Sequence, residues 1–488
     1  MAKLKNIIKQ LSDRDFQAIH DSLQSSGAEK SAYLMRSLRD HNLPDSKIMV
    51  ELDVNANAYY TLRSRLNQKI EEHLLQQMES PRTDILKKLA NINEVVFTKK
   101  RTISIATLKK IEKELIDYDL ANELTVVYKH LKKLHINSSE QFHYSQLYNR
   151  HVAYTLAIDK AEQVLAEYFK KFGVYYFSAS EQEKLGLTLQ LREMRNVSRL
   201  YQSHRLYVFY SCMCLFHQLF VEEEDSKSDE FEAPEDIFVK VQKIFETYPM
   251  DPLYYHLNLV FSFLKLEYYN HYRVFKQAEK YYEEINDAAT NLLMNYGHYT
   301  FVSQFLISKL IRALRLGVEA ELYAENENLF RELETDYSDI PSYTIYQVYR
   351  ALSNYYVEKY DQSARILNDL LNDVSLKAYP FVYMEVKVVL ALQYCLQNDP
   401  ELFSQLSNSI QRQVRLHSKE SCENILMFLK LMKSALSDSK KEKQKKLTAI
   451  AERIRVIPQS PWFSPTSFIR LDEPLIKKLT ALDSYTSI

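Results

Sequence analysis

YYVEKYDQSARILNDLL, residues 355–371, and YYNHYRVFKQAEKYYEEI, residues 268–285, decide how this chain folds. In the first, Tyr355 stands nine residues before Ala364, with Leu367 and Leu371 behind it; in the second, Tyr269 stands nine residues before Ala278, with Tyr282 and Ile285 following. These offsets belong to a helix hairpin. A large aromatic near the end of a first helix fills the space beside its partner, and a small Ala early in the second lets the two backbones approach. The stretch from Asp251 to Asp373 reads throughout as pairs of aromatic-rich helices.

At the Tyr and Ala positions the two segments resemble the tetratricopeptide repeat family. Leu352 and Leu266 stand where the family has a small residue on the first helix, and its closing Pro is missing, so the repeats are degenerate. The resemblance implies an all-α, right-handed solenoid of helix hairpins, each burying the apolar face of its neighbour. It also implies that first-helix positions line a concave surface: Val260, Phe263, Glu267, Asn270 and His271 in one unit, and Tyr346, Tyr349, Ser353, Tyr356 and Val357 in the other. That lining is aromatic and nearly uncharged. It lacks the Lys and Asn pattern with which one branch of the family holds a C-terminal carboxylate. Tyrosine suits a protein-binding surface because it buries much area at little rotamer entropy and keeps a polar tip. It suits packing between successive repeats equally well, and at least half of these tyrosines are expected there.

Composition agrees with helices. Five Gly and twelve Pro in 488 residues are too few for a sheet protein full of tight turns. The length exceeds what one compact core accommodates, so the chain splits or grows by stacking. Lys plus Arg number 63 against 64 Asp plus Glu, so no global field draws the chain to nucleic acid or an acidic membrane. Four cysteines (Cys212, Cys214, Cys395, Cys422) make no disulfide framework, and Cys212 and Cys214 point apart on a helix, which favours a reducing, cytoplasmic setting. The start, MAKLKNIIKQL, has lysines interleaved through its apolar residues and does not read as a secretory signal. The longest nearly apolar run, residues 206–221, is short of a membrane span and reads as a helix buried on all sides, so no membrane partner is expected.

Along the chain, residues 1–80 form an N-terminal three-helix module. Within it SKIMVELDVNANAYYTLRSRLNQKIEEHLL, residues 46–75, resembles the helix-turn-helix of transcription regulators, with Asp53 in place of the turn Gly, Val54 as the apolar turn residue and Asn55 as N-cap. As a DNA reader it would present Asn55, Asn57, Tyr60, Thr61, Ser64, Arg63 and Arg65. Its balanced charge favours instead a cap on the end of the solenoid, or a protein-binding module. Residues 81–221 supply the first half of the hairpins, with a basic loop at Lys99-Lys100-Arg101 read as solvated helix ends. An acidic loop follows at 222–236, then tetratricopeptide-like repeats over 237–456. The tail, 457–488, carries four prolines and the single Trp462 with Phe463 and Phe468, and is expected to lie along the last helices.

Catalytic patterns are missing from the sequence. The five glycines are isolated, and no His-Glu-x-x-His, Cys-x-x-Cys or Gly-x-Ser-x-Gly pattern occurs. Cys212-Met213-Cys214 with His217 is the one metal-like constellation; Cys212 is off the face that Cys214 and His217 share, so core packing accounts for it better. The expectation is a non-catalytic scaffold or adaptor with no cofactor and no metal, binding a protein or peptide partner. The alternative is a DNA-binding regulator acting through residues 46–75, with the repeats as its sensor.

Overall fold

The computed structural model describes residues 4, 8, 11, 13–40, 45–77, 81–201, 203–222, 231–248, 252–287, 299–332, 337–417, 419–437 and 440–482, and every regular element among them is helical. The chain divides into two compact units, Met1–Leu147 and Tyr148–Ile488.

In the first unit, α1 (Asp13–Ser25), α2 (Glu29–Asp40), α3 (Asp45–Glu51) and α4 (Ala56–Gln77) close around a core of their own. Apolar residues at helical spacing build it: Ile19 and Leu23, then Leu34, Met35 and Leu38, then Tyr59, Leu66 and Ile70. Asp53 adopts a φ of 47° between α3 and α4, the left-handed value the sequence assigns to this turn. Asn55 then caps α4, its Oδ1 accepting the Ala58 N–H at 2.9 Å. The unit continues through α5 (Pro81–Ala90), α6 (Ile92–Thr98), α7 (Arg101–Asp117) and α8 (Ala121–Leu134). Pro81, the sequence break, is therefore the first residue of a helix inside this unit. The basic loop at 99–101 has a structural use: Arg101 Nε donates to Leu134 O at 2.6 Å, placing a cation at the C-terminus of α8, where the helix dipole favours it.

The boundary between the units falls within α9 (Glu140–Ser178), one helix of 39 residues. Gly173 does not break α9. A Cβ there would meet the Phe301 ring at 3.1 Å and Pro341 at 3.2 Å, so glycine serves close packing. The second unit continues with α10 (Glu181–Tyr201), α11 (His204–Phe220) and α12 (Pro234–Thr247). As expected, α11 is buried almost all round. Residues 223–230 of the acidic loop lie outside the described residues.

Hairpins then follow in order: α13 (Pro252–His271) with α14 (Phe275–Asp287), α15 (Ser303–Leu316) with α16 (Glu319–Glu332), α17 (Ile340–Tyr356) with α18 (Tyr360–Asp373), α19 (Pro380–Leu396) with α20 (Pro400–Val414), and α21 (Glu423–Ser437) with α22 (Lys440–Val456). Partners pack on each other, and α15 also packs on α17, α18 on α19 and α19 on α21, so neighbours in sequence are neighbours in space. Tyr355, Ala364 and Ala278 are buried as the offsets require, and Tyr269 stacks on Tyr281 at 5.8 Å. Four hairpins share one turn. The N–H groups of Val274, Val318, Lys359 and Asp399 bond the carbonyls of Tyr269, Ala313, Asn354 and Tyr394 at 2.8–3.1 Å. The residue before each donor is left-handed: Arg273, Gly317, Glu358 and Asn398, with φ of 58°, 73°, 63° and 59°. Beyond α22 come a 3-10 turn, Pro465–Phe468, and α23 (Glu473–Ala481). No helix among the described residues is long and apolar enough to cross a membrane.

Candidate functional site

Most of the expected lining is covered by the chain itself. Phe263 is buried with its ring edge against Phe305 of the next hairpin, the centroids 6.3 Å apart. Tyr349 donates its hydroxyl to Asn326 Oδ1 at 2.7 Å and Asn326 Nδ2 donates to Ser353 Oγ at 2.9 Å, so both residues tie α17 to α16. Val260 and Tyr346 are buried too. Glu267 lies inside beside Ser308, and burial pushes its carboxyl up to about 8. Packing between hairpins thus takes Phe263, Glu267, Tyr346, Tyr349 and Ser353 off any open surface. Asn270 and Val357 are half-buried, and His271 is exposed with its ring against Tyr272 at 4.9 Å. Tyr356 remains, and it touches the tail.

The tail reaches well beyond the last helices. Trp462 stacks on Phe381 of α19, centroids 4.2 Å apart, and Phe463 stacks on Phe177 at 5.3 Å and tilts against Tyr176 at 5.6 Å. The Phe463 N–H donates to Tyr176 O at 2.8 Å, satisfying a carbonyl of the last turn of α9 that has no partner within its own helix. Further on, Tyr356 Oη donates to Phe468 O at 2.5 Å and accepts the Arg470 N–H at 3.0 Å. Arg470 then reaches the α15–α16 turn: Nη1 donates to Leu314 O at 3.1 Å and Nη2 pairs with Glu319 at 2.5 Å. Its guanidinium lies 5.2 Å from the Tyr356 ring centroid. A stretch of chain with a single 3-10 turn, Pro465–Phe468, therefore crosses elements from α9 to α19. Aromatic anchors sit in pockets, and side chains of the helices capture its main-chain groups.

At the centre of this seat is Glu385 on α19, fully buried. Its Oε2 accepts the Thr466 N–H at 3.1 Å and the Thr466 hydroxyl at 2.5 Å, and Asn424 Nδ2 of α21 donates to Thr466 Oγ1 at 2.8 Å. The Ser464 hydroxyl joins at 3.3 Å from Thr466 Oγ1. Burial raises the Glu385 carboxyl above its ordinary range, and the hydrogen bonds from Thr466, Ser464 and Asn424 draw it part of the way back. No lysine or arginine is within ion-pair distance of it among the described residues; Lys387, the nearest cation along α19, turns to Ser409 Oγ at 3.0 Å. Beside the seat a cavity of about 200 Å³ opens between the tail and α21–α22, with Asn424, Phe428, Ile454, Ser464 and Thr466 in its wall.

These residues escaped the sequence reading. One signal was present: Glu385, Lys387 and Gln393 are the only polar interruptions of the long apolar helix Pro380–Leu396 besides its tyrosines, and an acid in such a helix needs a partner from elsewhere in the chain.

The other candidates fall as follows. On α4, Tyr60, Thr61, Ser64 and Arg65 are exposed, Asn55 is exposed and serves as the N-cap, and Arg63 is half-buried with its guanidinium 5.7 Å from the Tyr59 ring. The side chain of Asn57 lies outside the described residues. Cys212, Cys214 and His217 do not converge: Cys212 Sγ donates to Tyr299 O at 2.9 Å, whereas His217 Nδ1 meets the Tyr168 hydroxyl at 2.9 Å. Burial lowers His217 to about 4, keeping it neutral, and raises Cys214 to about 11. Among the described residues no group of three or more His, Cys, Asp or Glu is placed to hold a metal ion. The chain matches no protein-family model, no curated protein and no solved structure.

Proposed function

We propose that this chain is a non-catalytic helical-repeat adaptor that binds a short protein segment lacking α-helix, and that the face holding residues 462–472 is where it does so. One observation carries the reading: a short segment without α-helix is held there in the manner of a bound peptide, through aromatic anchors at Trp462 and Phe463 and through side-chain capture of main-chain groups by Tyr356 and Glu385. In this reading the tail is the resident ligand, and a partner segment competes with it. The competition replaces the open aromatic groove that the repeat resemblance implies. The test is capture by the immobilised full-length chain, wild type against a variant with Trp462→Ala and Phe463→Ala, which loosens the resident. A bound protein retained by the variant and displaced by a synthetic peptide of residues 459–472 supports the reading. An identical set of bound proteins on both, indifferent to the peptide, counts against it.

A second reading rests on the first unit, where the Asp53 turn and the Asn55 cap leave the front of α4 exposed at Tyr60, Thr61, Ser64 and Arg65. In that reading α4 contacts DNA. Retention of the full chain on duplex DNA, falling steeply with salt and lost on Arg65→Ala, is its expected signature. Failure to bind at low salt removes it.

A further inference from the structure

Glu385 is an unusual floor for a peptide seat. It is a fully buried carboxylate whose donors are the Thr466 N–H, the Thr466 hydroxyl, the Ser464 hydroxyl and Asn424, with no cation at ion-pair distance among the described residues. A buried acceptor of this kind selects for what donates to it. Within hydrogen-bond reach it needs both a main-chain N–H and a hydroxyl from one residue, which is what serine and threonine supply and what valine or alanine do not. It also selects against negative charge. A phosphate on the same oxygen would bring a charge of about −1.5 to −2 and three acceptor oxygens against a carboxylate that lacks a neutralising partner.

We propose that the Glu385–Asn424 pocket reads an unmodified threonine or serine in a peptide of a partner protein, flanked as Thr466 is by Phe463 and Arg470, and that phosphorylation of that residue abolishes binding. The same chemistry makes Thr466 a charge-sensitive latch for the resident tail. The proposal rests on the adaptor reading above and adds its specificity. Flanking positions are fixed by separate contacts: Phe463 by Phe177, the main chain at 468–470 by Tyr356, and Arg470 by Glu319. A ligand therefore needs an aromatic anchor, then the hydroxyl residue, then an arginine, in the order of the tail.

The chain carries its own reporter, because Trp462 is its single tryptophan and stacks on Phe381 in the docked state. In the full-length chain, Thr466→Glu is expected to shift Trp462 emission to the red with unchanged helical circular dichroism. A fluorescein-labelled synthetic peptide of residues 459–472, added to this variant, is expected to bind by fluorescence anisotropy. Peptides with valine or phosphothreonine at position 466 are expected to bind at least about tenfold more weakly. Adding Glu385→Gln to the variant is expected to narrow the gap between the native peptide and the phosphopeptide. If Thr466→Glu does not fold, the Trp462→Ala and Phe463→Ala variant frees the seat without touching the charge pocket, and the peptide titration is run on it.

Unmoved Trp462 emission in a folded Thr466→Glu chain would show that a second carboxylate is tolerated beside Glu385, and would overturn the proposal. Equal binding of native, valine and phosphothreonine peptides would also overturn it, leaving the adaptor reading in place. A seat that is free by emission yet binds none of the peptides sinks the adaptor reading itself. A concentration-dependent dimer of the wild-type chain that the native peptide dissociates would assign the seat to the tail of a second copy, against a partner protein.

Discussion

Replacing Tyr356 with phenylalanine removes one oxygen, and in this fold that oxygen holds two main-chain groups of the tail. It donates to Phe468 O at 2.5 Å and accepts from the Arg470 N–H at 3.0 Å, while burial raises its pKa to about 12, so it remains a neutral phenol through the physiological range. Each such bond is worth about 0.5–1.5 kcal/mol net, so the pair contributes about 1–3 kcal/mol to docking, roughly a five- to 150-fold change in the docked-to-free ratio. The ring stays, and with it the Arg470 contact at 5.2 Å from the centroid. The helix that carries Tyr356 is secured separately through Tyr349, Ser353 and Asn326, so the cooperative unfolding of the unit should change much less than the tail does.

Two measurements read the effect together. Amide hydrogen exchange over residues 462–472 should accelerate in Tyr356→Phe, most strongly at Arg470, whose N–H loses its acceptor. Acrylamide quenching of Trp462 should rise with it. Unchanged exchange at Arg470 and unchanged quenching would refute the account of main-chain capture. The seat would then be held by its anchors, Trp462 and Phe463, and its likeness to peptide recognition would fail.

Glu267 binds its proton more tightly folded than unfolded, with pKa about 8 against 4.5, so it costs no stability below about pH 4.5 and progressively more as pH rises toward 8. Urea denaturation should show that loss, of the order of 4 kcal/mol, and Glu267→Gln should flatten it. Gly317→Ala meets no steric neighbour within 4 Å but forces a Cβ into φ 73°, so thermal denaturation should register about 1 kcal/mol of destabilisation from backbone conformation alone. Cys212, Cys214, Cys395 and Cys422 are buried, and burial pushes the thiols up; mass spectrometry should find them resistant to iodoacetamide in the native chain and alkylated in urea.

The hairpins were legible because their determinants are local. A Tyr, a small residue nine positions on and leucines at helical spacing need only a few turns of helix to express themselves, and Tyr355, Ala364 and Leu367 are buried accordingly. The turns between them were less visible. Three of the four take left-handed Arg273, Glu358 or Asn398, where sequence reasoning looks for glycine, and the five-residue main-chain bond closing each turn compensates for the strain. The turn at Asp53 could be read because Asn55 behind it is a strong capping residue. The seat of the tail was hidden for a different reason: its contacts join residues far apart in sequence, Thr466 with Glu385 and Arg470 with Leu314.

Length explains why a tail is needed there. Successive hairpins bury the faces they turn to each other, which accounts for Phe263, Tyr349 and Ser353, but that rule does not by itself cover the surface around Tyr379 and Phe381. Some of that surface could have stayed polar. This chain placed aromatic residues on it instead, among them Phe381 and Tyr379, and covers them with Trp462 and with Phe177 of α9. Aromatic surface that is covered by a segment the chain can in principle release is surface available to whatever binds more tightly than that segment. The buried carboxylate beneath it then decides which segments qualify, because desolvating Glu385 without a donor would cost more than any single aromatic contact recovers. A ligand that fills the aromatic pockets but brings no hydroxyl and N–H to Glu385 should therefore lose to the tail.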